Sequence, residues 1–330
     1  MKDYGVSVLE QYEMEVFSTR RIRGAVLCDT DRGIFLLKET HVAKGRLPVL
    51  LKVYALLEEN GAWPVDTPLA NREGEYVSCA EDGSSYMVKR WFSGRECDIR
   101  REAELLEGVR LLAGLHRIMR LPNLAEVEGG SRETLEEEYE RHNRELRKVC
   151  SFVRKRSVKG EFETVFLQGF EKMYLSASSA AEALSGEGIQ KLYEELQREG
   201  TFIHGDYNYH NLLVSPQGMA VTGFERTHQE LQMADFYYFL RKTMEKCRYD
   251  ERLGYRMMRA YDEVLTLDKA KRDYLAVRLA YPEKFWKIVN MYYHSNKAWI
   301  PAKNVEKLQN AIAQSEEKRR FLENLFSFHV

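Results

Sequence analysis

Through the first hundred or so positions, apolar residues fall in short runs bounded by turn residues; after residue 98 they recur mostly at helical spacing. Val26-Leu27-Cys28 and Ile34-Phe35-Leu36-Leu37-Lys38 flank Thr30-Asp31-Arg32-Gly33, whose Asp and closing Gly suit a tight turn, and this predicts a hairpin. A helix should follow, with Leu50, Leu51, Tyr54 and Leu57 on one face, Pro48 in its first turn and Asn60-Gly61 as its stop. Two more strands are expected at 76–79 and 86–91, joined by Glu81-Asp82-Gly83-Ser84. Helical stripes then run over 98–118, over about 132–157 and over 161–199, the last broken at Ser185-Gly186-Glu187-Gly188. A second hairpin is predicted where Leu212-Leu213-Val214 meets Ser215-Pro216-Gln217-Gly218 and returns as Met219-Ala220-Val221-Thr222. From 231 onward the pattern is almost all helical. The expectation is an α+β protein with a small β-rich part over 1–93 and a larger helical part over 94–330.

Composition narrows the function classes. The 50 basic and 51 acidic residues of the 330 nearly cancel, so no global field favours nucleic acid or an anionic membrane. No stretch approaches the roughly 18 uninterrupted apolar residues of a membrane span, and the first residues lack the apolar core of a signal peptide. Cys28, Cys79, Cys97, Cys150 and Cys247 are scattered and odd in number, which suits neither a disulfide framework nor a zinc site and is in keeping with synthesis in a reducing cytoplasm. In the helix over 132–157, acidic residues come early (Glu133, Glu136, Glu137, Glu138) and basic ones late (Arg147, Lys148, Arg154, Lys155), the order that favours its dipole.

The richest chemistry lies in His204-Gly205-Asp206-Tyr207-Asn208-Tyr209-His210-Asn211, of the form H-G-D-x-x-x-x-N. In phosphoryl transfer an Asp so placed orients or deprotonates an attacking hydroxyl, and an Asn five residues on holds a magnesium ion. Alone, the His-Gly-Asp triplet reads equally well as a turn with Asp206 capping backbone amides. Twelve residues after Asn211, where a second, acidic metal ligand is needed, the chain reads Val221-Thr222-Gly223-Phe224-Glu225.

Together with the predicted hairpins, this loop resembles the aminoglycoside phosphotransferase and choline kinase-like superfamily. More closely, the chain is similar to the spore-coat protein S family of spore-forming Firmicutes. That resemblance rests on the loop and on Trp91-Phe92-Ser93-Gly94-Arg95-Glu96, Leu112-Ala113-Gly114-Leu115-His116, Tyr281-Pro282-Glu283-Lys284-Phe285-Trp286-Lys287 and Asn296-Lys297-Ala298-Trp299. It implies a bilobal protein kinase-like fold, a small-molecule ligand in the cleft between the lobes, expression during sporulation, and a place in the spore coat among other coat proteins. ATP and magnesium are the implied cofactors if the protein is active. Residue by residue, it assigns the donor phosphates to Lys38, further nucleotide contacts to Arg90 and Trp91, the base to Asp206 with His204 bracing the loop, and metal coordination to Asn211.

Several positions depart from the pattern. Gly223 stands where the second metal ligand belongs and offers no carboxylate, which leaves Glu225 as the nearby acid that could reach a metal. The helix after Lys38 has no Glu in its middle, so Lys38 has no evident carboxylate partner and reads either as a phosphate ligand or as an exposed strand lysine. The segment Ser18-Thr19-Arg20-Arg21-Ile22-Arg23-Gly24 is basic rather than glycine-rich and is either an anion site or a solvated strand edge. Asp235 does match the pattern, and the resemblance implies that it braces the loop from the next helix, with capping of its own helix as the alternative. Phe285, Trp286, Tyr292, Tyr293 and Trp299 read as helix packing or as a ligand pocket. His204 and His210 beside Asp206 do not have the makings of a zinc site. The resulting expectation is a spore-coat pseudokinase or a ligand-binding or structural coat component with impaired magnesium-dependent transfer. The alternative is an ATP-dependent small-molecule hydroxyl kinase.

Overall fold

The computed structural model describes residues 5–22, 24–61, 63–122, 133–294 and 302–329. Arg23 and the Asn296-Lys297-Ala298-Trp299 segment, both singled out above, lie outside the described residues. The chain divides into two compact units, one formed by Met1–Leu124 with Thr201–Glu230 and the other by Ala125–Gly200 with Leu231–Val330. The H-G-D loop and its hairpin therefore belong to the same unit as the N-terminal strands.

In the first unit, strands β1 (Val16–Ile22), β2 (Ala25–Thr30), β3 (Gly33–Glu39), β4 (Ser78–Cys79) and β5 (Ser85–Arg90) form one antiparallel sheet in the order β1-β2-β3-β5-β4. The predicted hairpin is β2–β3, closed by the pair Thr30↔Gly33, with the Thr30 hydroxyl donating to the Gly33 carbonyl at 2.8 Å. The basic segment 18–22 is most of β1, an edge strand with its side chains largely solvated. Alternation along the strands separates the two faces of the sheet. Val26, Cys28, Phe35, Leu37, Tyr86 and Val88 pack on Val8, Leu9 and Tyr12 from a 3-10 turn at Val6–Gln11. Leu36 and Lys38 of β3 and Met87 and Lys89 of β5 share the opposite face, in the pairs Leu36↔Lys89 and Lys38↔Met87.

Helix α1 (Leu47–Glu59) buries Val49, Leu50, Val53, Tyr54 and Leu57, the stripe its spacing predicts, apart from Leu51, which is half-buried. Helix α2 (Glu102–Ile118) has apolar or small residues buried almost all round in its second half, which suits a helix enclosed by protein. Strand β6 (Arg95–Glu96) joins the second predicted hairpin, β8 (Leu212–Ser215) and β9 (Gly218–Val221), and β7 (Phe202–Ile203) pairs with β10 (His228–Gln229).

The second unit is helical: α3 (Leu135–Lys155), α4 (Glu161–Ala183), α5 (Glu187–Glu199), α6 (Met233–Lys246), α7 (Glu251–Asp262), α8 (Lys269–Ala280), α9 (Glu283–His294), α10 (Ala302–Ala313) and α11 (Ser315–Phe326). A capping box starts α3 at Thr134, whose side chain accepts from Glu137 N–H while the Glu137 carboxylate accepts from Thr134 N–H. Its core joins Leu146, Phe162, Phe166, Phe170, Phe285 and Val289. Phe166 stacks on Phe285, Phe162 on Tyr292, and Trp286 on His142, so these aromatics pack helices together. No helix among the described residues is long and apolar enough to cross a membrane.

Candidate functional site

The loop 204–211 is built from its own side chains. His204 is fully buried; its Nδ1 accepts the Asp206 backbone N–H at 3.1 Å, which leaves the proton on Nε2, 3.0 Å from the Thr222 carbonyl. It thus ties the Asp206 backbone to the end of β9, packed between Phe224 and Tyr207. Tyr207 anchors the loop to α2 through a 2.7 Å bond from its hydroxyl to the Gly108 carbonyl. Gly205 adopts φ +80°, and a Cβ there would fall 2.3 Å from the Arg226 carbonyl oxygen, so this position has no room for a side chain.

Asp206 is half-buried, and its two oxygens are held by two amides: Oδ1 accepts from Asn208 Nδ2 at 3.1 Å and Oδ2 from Asn211 Nδ2 at 3.3 Å. Both Nδ2 groups also donate to the Asp206 carbonyl at 2.8 Å. Asn208 caps the turn Tyr209–Asn211 by accepting from His210 N–H, and the Asn211 carbonyl receives Thr222 N–H at 2.9 Å. His210 is exposed and faces Glu96 instead of the loop interior. The Asp206–Asn211 pair is therefore brought together by the turn, as five-residue spacing allows.

Beside this loop lies a charged cluster. Lys89, with a side chain only 1% exposed, directs Nζ at Glu225 Oε1 (2.8 Å), Asp66 Oδ2 (3.0 Å) and the Tyr54 hydroxyl (3.2 Å). Tyr54 in turn donates to Asp66 Oδ1 at 3.0 Å, and Gly223 N–H donates to Asp66 Oδ2 at 2.9 Å. Lys38, 43% exposed, joins from the neighbouring strand with Nζ 3.1 Å from Glu225 Oε1. The partner that α1 does not supply to Lys38 is thus Glu225, across 187 positions of sequence.

Electrostatics follow from burial and pairing. Burial alone would push the Lys89 ammonium down, but Asp66, Tyr54 and Glu225 outweigh it and hold Lys89 charged, well above its ordinary value. Burial acts on Glu225 in the opposite sense, yet Lys89 and Lys38 keep its carboxyl far below the usual range. Asp66 is the weak member, pushed up by complete burial and by Glu225 in spite of Lys89 and the Gly223 amide. Two ammonium groups against two carboxylates leave the cluster neutral, the condition under which charges persist in a protein interior.

Whether these residues suit magnesium can be tested on their contacts. The ion demands near-octahedral oxygen ligands free to turn to one point. Gly223 has none, Glu225 Oε1 already faces two ammonium groups, and Asn211 spends Nδ2 on Asp206, leaving one amide oxygen toward Gly223. Among the described residues no group of three or more His, Cys, Asp or Glu side chains is placed to hold a metal ion. The residues present do not fit magnesium. Gly223 itself is constrained: its φ is +91°, and an added Cβ would come 3.2 Å from Asn211 Oδ1 and Cγ.

Arg90 is exposed and Trp91 half-buried at the end of β5, one and two positions beyond Lys89 and outside its cluster of contacts. The sequence marks Tyr54 only as part of the apolar stripe of α1 and assigns no role to Asp66 or Lys89. The signal available was a lysine inside the otherwise apolar strand Tyr86-Met87-Val88, at the position that shares a face with Met87. Asp235 is buried in the first turn of α6.

Comparison with known proteins completes the picture. A solved aminoglycoside phosphotransferase from Alicyclobacillus acidocaldarius superposes with a TM-score of 0.87 at 18% identity, covering 97% of this chain and 95% of that one. A microcompartment-associated aminopropanol kinase superposes at 0.60 and 15% identity, covering 97% and 96%. Spectinomycin phosphotransferase, solved with ADP and spectinomycin, superposes at 0.60 and 11%, covering 94% and 96%. At such identities the likeness shows the fold, a protein kinase-like phosphotransferase fold. Spore coat protein S of Bacillus subtilis (strain 168) is 25% identical over 301 residues, 90% of this chain and 85% of that protein. The family model described as "Spore coat putative kinase YutH" matches residues 6–325, and the chain belongs to this kinase-like spore-coat family.

Proposed function

We propose that the protein is a spore-coat-associated pseudokinase, which holds a small ligand at the kinase-like site of its first unit without ordinary magnesium-dependent phosphoryl transfer. The observation that carries this reading is Gly223, which has no carboxylate to give, while its amide binds Asp66 and its acidic neighbour Glu225 is engaged by Lys89 and Lys38. Phosphoryl transfer depends on positioning and on neutralising phosphate charge. The loop retains the first requirement in Asp206 and the amides of Asn208 and Asn211. For the second, Lys38, partly exposed though paired with Glu225, is better placed to approach a phosphate than the enclosed Lys89. Membership of the spore-coat family supports a place in the coat, made in the cytoplasm and assembled with other coat proteins.

One observation favours a second reading, an ATP-dependent kinase of a small hydroxyl compound. Asp206 is held by two amides and remains half-buried, as suits a base that accepts a hydroxyl proton while the acceptor oxygen bonds to the γ-phosphorus and the bond from that phosphorus to ADP breaks. Names of the structural neighbours point to amino alcohols and aminoglycosides as the acceptors to try. Calorimetric titration with ATP, with and without magnesium, is the test, run beside turnover assays over choline, amino-alcohol, sugar and aminoglycoside acceptors. The pseudokinase reading expects no magnesium-dependent turnover; turnover abolished by Asp206→Ala would sink it. A fluorescent fusion in a sporulating host should mark the spore periphery, and uniform vegetative cytoplasm would count against the coat assignment.

A further inference from the structure

The misfit between this site and magnesium has a positive side, because the acids that remain are not left bare. Asp66 and Glu225 come from different parts of the chain, a loop after α1 and the turn after β9, and meet at one nitrogen. Lys89 Nζ lies 3.0 Å from one carboxylate and 2.8 Å from the other, with the Tyr54 hydroxyl as a third contact at 3.2 Å. An ammonium has three donors, and all three are used. Asp66 accepts three hydrogen bonds, from Tyr54, Lys89 and the Gly223 amide.

The geometry points to Lys89 as a tethered cation that performs for Asp66 and Glu225 the electrostatic work of a divalent metal, so that this segment is organised without metal and the acid pair beneath the ammonium is a latent metal site. Three arguments carry it. Two carboxylates within ~6 Å of each other in a water-poor interior repel each other and need a cation between them. The cation present is covalently attached, so its effective concentration does not depend on the medium. The cluster it centres also fixes the segment 223–225: Asp66 accepts from the Gly223 amide, and Lys89 holds the Glu225 side chain two residues on. Lys38 adds a second, partly exposed contact to the same Glu225 oxygen. The inference is independent of whether a nucleotide binds, since it concerns only charges within the chain.

Removing the tether tests it. In wild-type protein, hydrogen exchange over residues 212–226 and the denaturation midpoint should be the same in EDTA as in millimolar magnesium or manganese. Lys89→Ala removes stem and ammonium and leaves room for an ion; it should be destabilised in EDTA, regain protection over 212–226 on adding manganese, and bind manganese about tenfold or more tighter than wild type. Lys89→Met fills the same room without charge and should be destabilised but unresponsive to manganese. The double variant Asp66→Asn with Lys89→Ala leaves one acid, so it should recover part of the lost stability in EDTA and show no manganese response. If Lys89→Ala does not fold in EDTA, refolding on addition of manganese is the expected readout. Failure of that variant to respond to manganese, a response as large in Lys89→Met, or a wild-type protein that loses its protection over 212–226 in EDTA would overturn the inference.

Discussion

Substitution of Gly223 probes the central feature of the site, and the structure allows its size to be worked out. The residue holds φ +91°, so an L side chain there carries a backbone penalty of about 1–2 kcal/mol. Its Cβ would also lie 3.2 Å from Asn211 Oδ1 and Cγ, so the Asn211 amide must give by a few tenths of an ångström, at about 1 kcal/mol if a bond to Asp206 weakens. Part of this, about 0.4–1 kcal/mol, is offset because alanine restricts the unfolded chain. Gly223→Ala should therefore destabilise by about 1–2 kcal/mol. Gly223→Asp suffers less from the left-handed backbone, which Asp tolerates better than most residues, but it sets a third carboxylate beside Asp66 and Glu225. One such pair at ~6 Å, in a medium of effective dielectric about 20, repels by about 3 kcal/mol, and attraction to Lys89 and Lys38 offsets part of it. The Asp variant should thus be the less stable of the two in EDTA, and magnesium should recover part of its loss while leaving the Ala variant unmoved. Hydrogen exchange in increasing urea, read on peptides covering 212–226, measures both without interference from the helical unit. An Ala variant within about 0.5 kcal/mol of wild type would refute the backbone argument. An Asp variant as stable as Ala in EDTA would refute the charge argument.

Other perturbations test other parts of the structure. Gly205→Ala should abolish the native loop or destabilise it by more than about 3 kcal/mol, because the added methyl meets the Arg226 carbonyl and the φ of +80° is unfavourable, and proteolysis within the loop would report it. Tyr54→Phe removes the hydroxyl that donates to Asp66 and accepts from Lys89, so a loss of about 1–3 kcal/mol is expected in denaturant unfolding at neutral pH. His142 is buried against Trp286 with neither ring nitrogen hydrogen-bonded, and burial, helped by Arg141, lowers its pKa to about 4. Its folded value lies below the unfolded one, so its contribution is complete above about pH 6.5 and is lost as pH falls toward 4, a change on the order of 3 kcal/mol. His142→Phe should flatten that limb and raise stability at neutral pH, measured by denaturation from pH 7 to 4. Thr134→Ala breaks the capping box of α3 and should cost about 1 kcal/mol, visible as faster exchange in the first turn.

Local pattern was enough for much of this protein. Turn residues at 30–33 and 215–218 and the strand runs beside them placed both hairpins, and the spacing of Leu50, Tyr54 and Leu57 placed α1. These features depend on neighbours in the chain, where backbone preferences and side-chain period act directly. The loop motif likewise announced itself, because Asp206 and Asn211 are joined through a turn of their own making. What tertiary structure decided was the electrostatic meaning of the charged residues. Lys38 lacked a partner in the linear reading because its partner, Glu225, stands 187 positions away. Lys89 passed unnoticed beside Arg90 because strand parity alone does not say which face a loop and a helix will cover with carboxylates. Glu225 offered itself as a metal ligand by position and is instead engaged by two lysines. Burial and distance set the state of an ionisable group, and both come into being only when segments remote in sequence close around it.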